Sequence, residues 1–373
     1  MQPGSPPAVG LAHDYLLVMR GAERTFAEIA ACWPTAPIHT ALYDPEAMPR
    51  FAGRDVHTSV LQRTGVRQNG FRRLLPLFPA AVSRMRIDAT ELVVSSSSAF
   101  AHGMRVPEGV PHVCYCYTPF RYAWHERATA LREVPAPARP ALRLVLDQIR
   151  RWDVRVAARV DHYVAISEIS RERIAAAFGR DAPIVHPPVE VERFTPTAGG
   201  EHLLVVCELV SHKRVELALE AAQRAGWPAV VVGTGPEQAR LARDFPTARF
   251  AGRVSDPELA VLYAQARAVV VPSYEEFGIV AVEAQASGTP VVAPRRGGAA
   301  ETVLDGVTGV LLDEVSARSI AAALAHEVVA QPDAAALRAQ ADRFSAATFR
   351  RRLVETVEEL TGRPAPAGTV ADA

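Results

Sequence analysis

A chain of 373 residues is long enough for two domains of ordinary size, each with its own core. Its 41 basic and 41 acidic side chains cancel, so no global field argues for nucleic acid or an acidic polymer as a partner. The chain has no apolar run of about 18 residues, no charged-then-apolar leader and only scattered cysteines. A soluble, cytoplasmic protein is therefore expected, with Cys114 and Cys116 as buried strand thiols rather than a metal or redox site.

In chain order, Val9 to Ala12 reads as a strand ending in His13-Asp14-Tyr15. The turn Arg20-Gly21-Ala22 leads into a helical pattern from Glu23 to Cys32, the first unit of a doubly wound sheet. Residues 65–86 mix five arginines with Phe71, Leu74, Leu75, Leu77 and Phe78. Two readings stay open there: a basic, apolar surface against a membrane or a lipid-linked acceptor, or core segments with solvated arginines. Pro76 and Pro79 interrupt any long amphipathic face and favour the second. A strand at 91–94 ends in the serine turn 95–98, and the strand His112 to Cys116 runs into Tyr117-Thr118-Pro119-Phe120-Arg121-Tyr122-Ala123-Trp124. Such an aromatic strand end suits a sugar or acceptor platform; the competing reading makes Arg121 a loop ion pair and Trp124 a core anchor.

A long helix at 141–160 leads to a strand at 162–165, a helix N-cap at Ser167 and a proline-stiffened connector at 185–196, where the domain boundary is placed. The second half alternates strand and helix from 203 to 312, as a second doubly wound sheet does. Glu208 to Arg214 lies between its first strand and first helix and holds Lys213, the single lysine of the chain. Gly233-Thr234-Gly235-Pro236 is a turn at a strand end, weak evidence for a ligand by itself. Residues 271–298, VPSYEEFGIVAVEAQASGTPVVAPRRGG, read as strand end, acidic turn, helix and strand. The helix start then lies at the carboxyl edge of a parallel sheet, where amides and the helix dipole attract an anion. Glu275 and Glu283 are eight apart, and five residues of helix rise roughly 7.5 Å, a span that reaches two ends of one ligand across the amides of Phe277, Gly278 and Ile279. A capping box of Ser273 and Glu276, with both glutamates merely solvated, is the alternative.

The string EEFGIVAVEAQASGTPVVA followed by RRGGAAETVLDGVTGVLL resembles the donor-site signature of retaining glycosyltransferases of family 4. The resemblance implies an α/β chain with the GT-B fold: two Rossmann-like domains facing across a cleft, with a C-terminal helix crossing back. It divides the chain into an acceptor domain at 1–190, a nucleotide-sugar domain at 191–345 and a returning helix at 346–362, ahead of a disordered tail at 363–373. It places Glu275 on the transferred sugar, Glu283 on the ribose and Lys213 on the diphosphate, with the amides of Phe277, Gly278 and Ile279 assisting. Gly252, Arg253 and Val254 would read the base, Gly233 would face the cleft, and Gly21 and Ala22 would cover the phosphates. Tyr117 stands where relatives commonly carry a histidine near the reacting sugar; Asp14, Arg121 and Trp124 would serve the acceptor.

The opening HDYLLVMRGAER is similar to that of bacterial members with HDWL-x-x-MRGGEK, often assigned as mannosyltransferases of polysaccharide assembly. The resemblance thus implies GDP-mannose as first donor, with a UDP- or TDP-sugar as alternative, a hydroxyl-bearing acceptor, no tightly bound cofactor and no required metal. It also leaves room for a peripheral position at the inner membrane face through residues 65–86. Three positions depart from the pattern. Glu208 replaces an arginine five before Lys213, Ala22 replaces a glycine, and Tyr117 replaces the histidine. Either Arg214 or Arg20 would supply the missing charge, or Glu208 simply turns away to pair with Arg214. The alternatives are a tailoring enzyme acting on a natural product, or a glycosyltransferase-fold protein that binds a ligand or partner without transfer.

Overall fold

The structure is a computed structural model that describes residues 7–370 apart from 69, 198 and 367. The chain forms two compact units, the first running to His186 and resuming at Phe349, the second spanning Pro187–Thr348. Each contains one six-stranded, all-parallel sheet. Parallel sheets are covered on both faces, so their strands are short unbroken apolar runs rather than alternating ones. Val9–His13 and Val291–Pro294 show this, being buried at every position.

In the first unit the strands are β1 (Val9–His13), β2 (Ile38–Thr40), β3 (Val56–Thr58), β4 (Leu92–Ser97), β5 (His112–Cys116) and β6 (His162–Ala165), in spatial order β3-β2-β1-β4-β5-β6. The sequence reading did not anticipate β2 and β3. Each is three residues long, Ile-His-Thr and Val-His-Thr, too short for any periodicity to register. Helix α1 (Gly21–Cys32) and helix α2 (Arg139–Ala157) supply Phe26, Ile29, Leu146 and Trp152 to the interior. Phe78 stacks on Phe100 there with centroids 5.1 Å apart, and Phe120 lies tilted against Phe100 at 5.2 Å. Phe71, Leu74 and Leu75 pack against this core, leaving Leu77 as the exposed apolar side chain of residues 71–78. The structure therefore does not support membrane contact through residues 65–86: Pro76 sits in a 3₁₀ turn, and Phe71, Leu74, Leu75 and Phe78 are taken up by the core.

The second unit contains β7 (His202–Val206), β8 (Ala229–Val232), β9 (Arg249–Gly252), β10 (Ala266–Val270), β11 (Val291–Pro294) and β12 (Gly309–Leu312), in spatial order β12-β11-β10-β7-β8-β9. Helix α3 (Val215–Ala225) follows β7, and helix α4 (Ile279–Ala286) follows β10. Helix α5 (Ala346–Thr361) closes the chain, and from Phe349 onward it belongs to the first unit. There Phe349 meets the Tyr115 ring edge-on, and Arg350 pairs with Glu28 of α1. Beyond it, Trp33 Nε1 donates to Thr369 Oγ1 at 2.9 Å and the Val370 amide to the Cys32 carbonyl at 2.8 Å. These are the described residues of the stretch expected as a disordered tail; 367 and 371–373 lie outside the described residues.

Candidate functional site

In each sheet the chain reverses its winding direction beside the first strand, between β1 and β4 and between β7 and β10. Crevices at such switch points are where open α/β sheets bind ligands. In the second unit the loops after β7 and β10 carry Lys213 and Glu275. Lys213 Nζ donates to Glu275 Oε1 at 2.7 Å and to Oε2 at 2.8 Å, and Ser273 Oγ donates to Oε1 at 2.7 Å. The Ser273 hydroxyl thus orients Glu275 rather than forming the alternative capping box. Both charged side chains remain about a quarter or less exposed, so the pair is desolvated on one side and open on the other.

Directly after Glu275 the backbone turns into α4. Gly278 precedes the helix at φ +90°, a conformation that disfavours side chains, and no side chain caps the helix start. The Gly298 amide donates to the Glu275 carbonyl at 2.8 Å. A Cβ on Gly298 would sit 2.1 Å from the Phe277 backbone, so only glycine allows this approach. Phe277 is buried and its ring lies against Phe344, while Ile279 is exposed. Glu283 lies on α4, where Oε2 accepts from the Tyr263 hydroxyl at 2.8 Å. Burial and the Glu283 charge hold that phenol well above its ordinary value. Tyr263 went unnoticed in the sequence because it lies twenty residues upstream on a helix of its own.

The other predicted residues of this unit are spread more widely. Arg214 is the one non-glycine residue at positive φ among the described residues, at 53°. Its guanidinium donates to the Val315 carbonyl at 2.9 Å, and no ion pair joins it to Glu208 among the described residues. Glu208 is exposed. Gly233 is packed against the Cys207 carbonyl, and Gly252 accepts the Gly233 amide at 2.8 Å, ahead of exposed Arg253 and half-buried Val254.

In the first unit the predicted residues are mostly consumed by internal bonds. Asp14 is 2 % exposed, and its carboxylate accepts from the hydroxyls of Ser97 and Ser98 and the amides of Ser98, Phe100 and Ala101. It ties β1 to the loop after β4, so the carboxylate offered to an acceptor is engaged by internal donors. Tyr117 is buried too, and its hydroxyl donates to the Ala22 carbonyl at 2.8 Å. With that proton committed, Ser96 Oγ must donate to Tyr117 at 3.0 Å and His13 Nδ1 must donate to Ser96 at 3.2 Å. Burial keeps His13 neutral by lowering it to about 4, consistent with this chain of donors. Tyr117 therefore pins the turn at Ala22 and has no proton left to offer a substrate. Trp124 donates from Nε1 to Asp153 Oδ2 at 2.6 Å, with Arg150 stacked over its ring at 4.3 Å. It is the core anchor of the competing reading, and Arg121 is a half-exposed loop cation 3.8 Å from Glu126.

A cavity of about 810 Å³ opens at this carboxyl edge, bounded by Tyr15, Gly21, Ala22, Phe71, Phe120 and Arg121 among others. Glu23 lies in its wall, 7 % exposed, with Oε2 accepting the Arg20 amide at 3.0 Å. Burial pushes this carboxyl up to about 7. Sequence reasoning took Glu23 as an ordinary helix start. Among the described residues no three His, Cys, Asp or Glu side chains gather as metal ligands, and no helix is long and apolar enough to cross a membrane.

Comparison with known proteins identifies part of the chain. Residues 192–343 match the family model of glycosyl transferases group 1. Over 246 residues the chain is 32 % identical to the GDP-mannose-dependent alpha-(1-6)-phosphatidylinositol monomannoside mannosyltransferase of Mycolicibacterium smegmatis, covering 56 % of this chain and 64 % of that protein. Over 223 residues it is 32 % identical to glycogen synthase of Mycobacterium tuberculosis, covering 54 % of this chain and 53 % of that protein. The chain thus spans between half and two thirds of the length of these relatives. Among solved structures, Anabaena HepE in complex with UDP-glucose matches with a TM-score of 0.67 at 19 % identity, covering 94 % of this chain and 99 % of that one. Sucrose-phosphate synthase from Thermosynechococcus elongatus matches with a TM-score of 0.69 at 16 % identity, covering 95 % and 99 %. The two-sheet fold is that of the GT-B glycosyltransferases, and the second unit of this chain holds a glycosyl transferases group 1 domain.

Proposed function

We propose that this protein is a retaining hexosyltransferase that takes its sugar from a nucleoside diphosphate donor, with GDP-mannose the first candidate. The observation that carries the reading is the Lys213–Glu275 pair, placed at a topological switch point and followed at once by the uncapped start of α4. In the proposed reaction the diphosphate lies on Lys213 and the amides at Phe277, Gly278 and Ile279, and Glu275 turns from Lys213 to the sugar hydroxyls. Glu283 holds the ribose, and the backbone at Gly252, Arg253 and Val254 faces the base. The bond between the anomeric carbon and the diphosphate breaks with its electron pair leaving on phosphate oxygen. The acceptor oxygen bonds to the same face of the sugar and passes its proton to the departing phosphate. A cation and a helix start aimed at the leaving group are worth most here, because negative charge grows on it as the bond breaks.

A mannose donor is supported by the resemblance of the HDYLLVMRGAER opening and by the GDP-mannose-dependent relative; a UDP- or TDP-sugar is the alternative. The test is a thermal-shift screen of the protein with GDP, UDP, TDP and ADP and their sugars. Ligand at 100 times its dissociation constant should add about 2.7 kcal/mol of stability, with one base favoured. No shift with any nucleotide would sink this reading. A second reading, binding without transfer, is favoured by Glu208, which puts an exposed carboxylate where the resemblance expects a cation. Turnover that rises in Glu208→Arg would argue against it, and binding with no turnover in either protein would argue for it.

A further inference from the structure

The cavity of the first unit has a chemistry that the transfer reading leaves unused. It lies at the carboxyl edge of β1, β4 and β5, and Gly70, Phe71, Leu75 and Phe78 form part of its wall. Its wall is mainly apolar and aromatic. Tyr15 and Phe71 meet with ring centroids 4.8 Å apart, and Phe120 and Tyr122 meet edge to face at 5.5 Å. Val18, Leu75, Leu142 and Leu146 add aliphatic side chains to the lining. Polar groups are few. Arg20, Gln68, Arg121 and Glu133 are exposed, Ser98 is half-buried, and Glu23 is the buried carboxyl of the wall. At about 810 Å³ the space falls in the range of small-molecule sites, which are commonly apolar with a few placed polar groups.

A free oligosaccharide fits this lining poorly. Its many hydroxyls would lose water against phenylalanine and leucine side chains that offer no hydrogen bond in return. A compound with an apolar ring system and one hydroxyl suits it better. The rings provide flat faces and edges for stacking, and one carboxyl is held ready by the Arg20 amide.

We propose that this cavity receives the acceptor, and that the acceptor is a hydroxylated compound with an apolar, ring-containing body whose hydroxyl reaches Glu23. This rests on the transfer reading, since an acceptor presupposes a donor. The raised Glu23 carboxyl, about 7, supports the geometry, because a neutral acid can both donate to and accept from a hydroxyl.

The test titrates the full chain with 4-methylumbelliferone, a two-ring phenol, followed by its own fluorescence, and separately with maltotriose. Saturable binding of the phenol is expected, at least ten-fold tighter than maltotriose and weakened at least ten-fold in Leu75→Asp. Should Leu75→Asp fail to fold by circular dichroism, Val18→Asn tests a second lining position. Absent phenol binding, unchanged binding in folded variants, or preference for maltotriose would each overturn the proposal. Nucleotide binding is measured on the same samples. A nucleotide shift without phenol binding overturns the cavity's role and leaves the transfer reading intact. Phenol binding without any nucleotide shift overturns the acceptor role together with that reading.

Discussion

The carboxyl edges of the two sheets share a topology and use their polar groups in opposite ways. At the first, polar side chains satisfy one another: Asp14 collects five donors, and a directed chain of protons runs from His13 through Ser96 and Tyr117 to Ala22. At the second, opposite charges hold one another while partly facing water, as Lys213 and Glu275 do. A closed network fixes the shape of a loop, because each group would lose its partner on opening. An ion pair that partly faces water can exchange its partner for a ligand of the same sign more readily than a closed network can. The first edge therefore builds a shaped wall, and the second keeps charges that can be redirected.

Substitutions at the two edges should differ accordingly. The largest effect is expected from Asp14→Ala, which strands three buried amides and two hydroxyls. Denaturant unfolding should show a loss of about 3–5 kcal/mol, the cost of breaking a buried, charge-assisted network. A loss under about 1 kcal/mol would mean that this edge is not closed after all.

Glu23→Gln comes next and depends on pH. Folding raises this carboxyl from 4.5 to about 7, so the folded chain holds a proton that the unfolded chain gives up. The contribution is fully present below pH 4.5 and is lost as pH rises through 7. Wild type should therefore lose stability relative to Glu23→Gln across that window, reaching about 3 kcal/mol at pH 8 and vanishing near pH 4. Parallel unfolding curves at both pH values check it, and a pH-independent difference would show that the carboxyl is not buried in this way.

The smallest effect on stability is expected from Lys213→Ala. A partly exposed ion pair is worth about 1 kcal/mol or less, yet under the transfer reading the same change should lower turnover by about 100-fold or more. Loss of several kcal/mol on unfolding, with turnover intact in the folded fraction, would instead make this pair part of the scaffold. The comparison between the edges would then fail.

What the sequence disclosed follows the distance over which each feature is encoded. The β10–α4–β11 unit was legible because strand, turn, helix and strand lie within one short stretch and each has its own periodicity. Glu275, Glu283 and Lys213 stood out through spacing and rarity. The three-residue strands β2 and β3 carry too few residues for a pattern. The bonds that decide the fate of Asp14 join residues more than eighty positions apart, and Arg214 reaches Val315 across 101. Tyr117 was visible as an odd residue, but its commitment to Ala22 is a tertiary fact. The aromatic cavity was equally hidden, since its rings come from four separate segments and none of them alone looks like a pocket.

Lys213 has a practical consequence as well. It is the single side-chain primary amine in the chain, and both oxygens of one carboxylate hold it. An amine-directed acylating reagent therefore meets one side-chain target, and it reacts only with an amine that has left Glu275 and shed its proton. The rate of acylation at Lys213, separated from that of the terminal α-amine by peptide mass spectrometry, becomes a clock for the opening of the site. A bound diphosphate would stop the clock, so occupancy could be read without a radiolabel, a chromophore or an engineered tag.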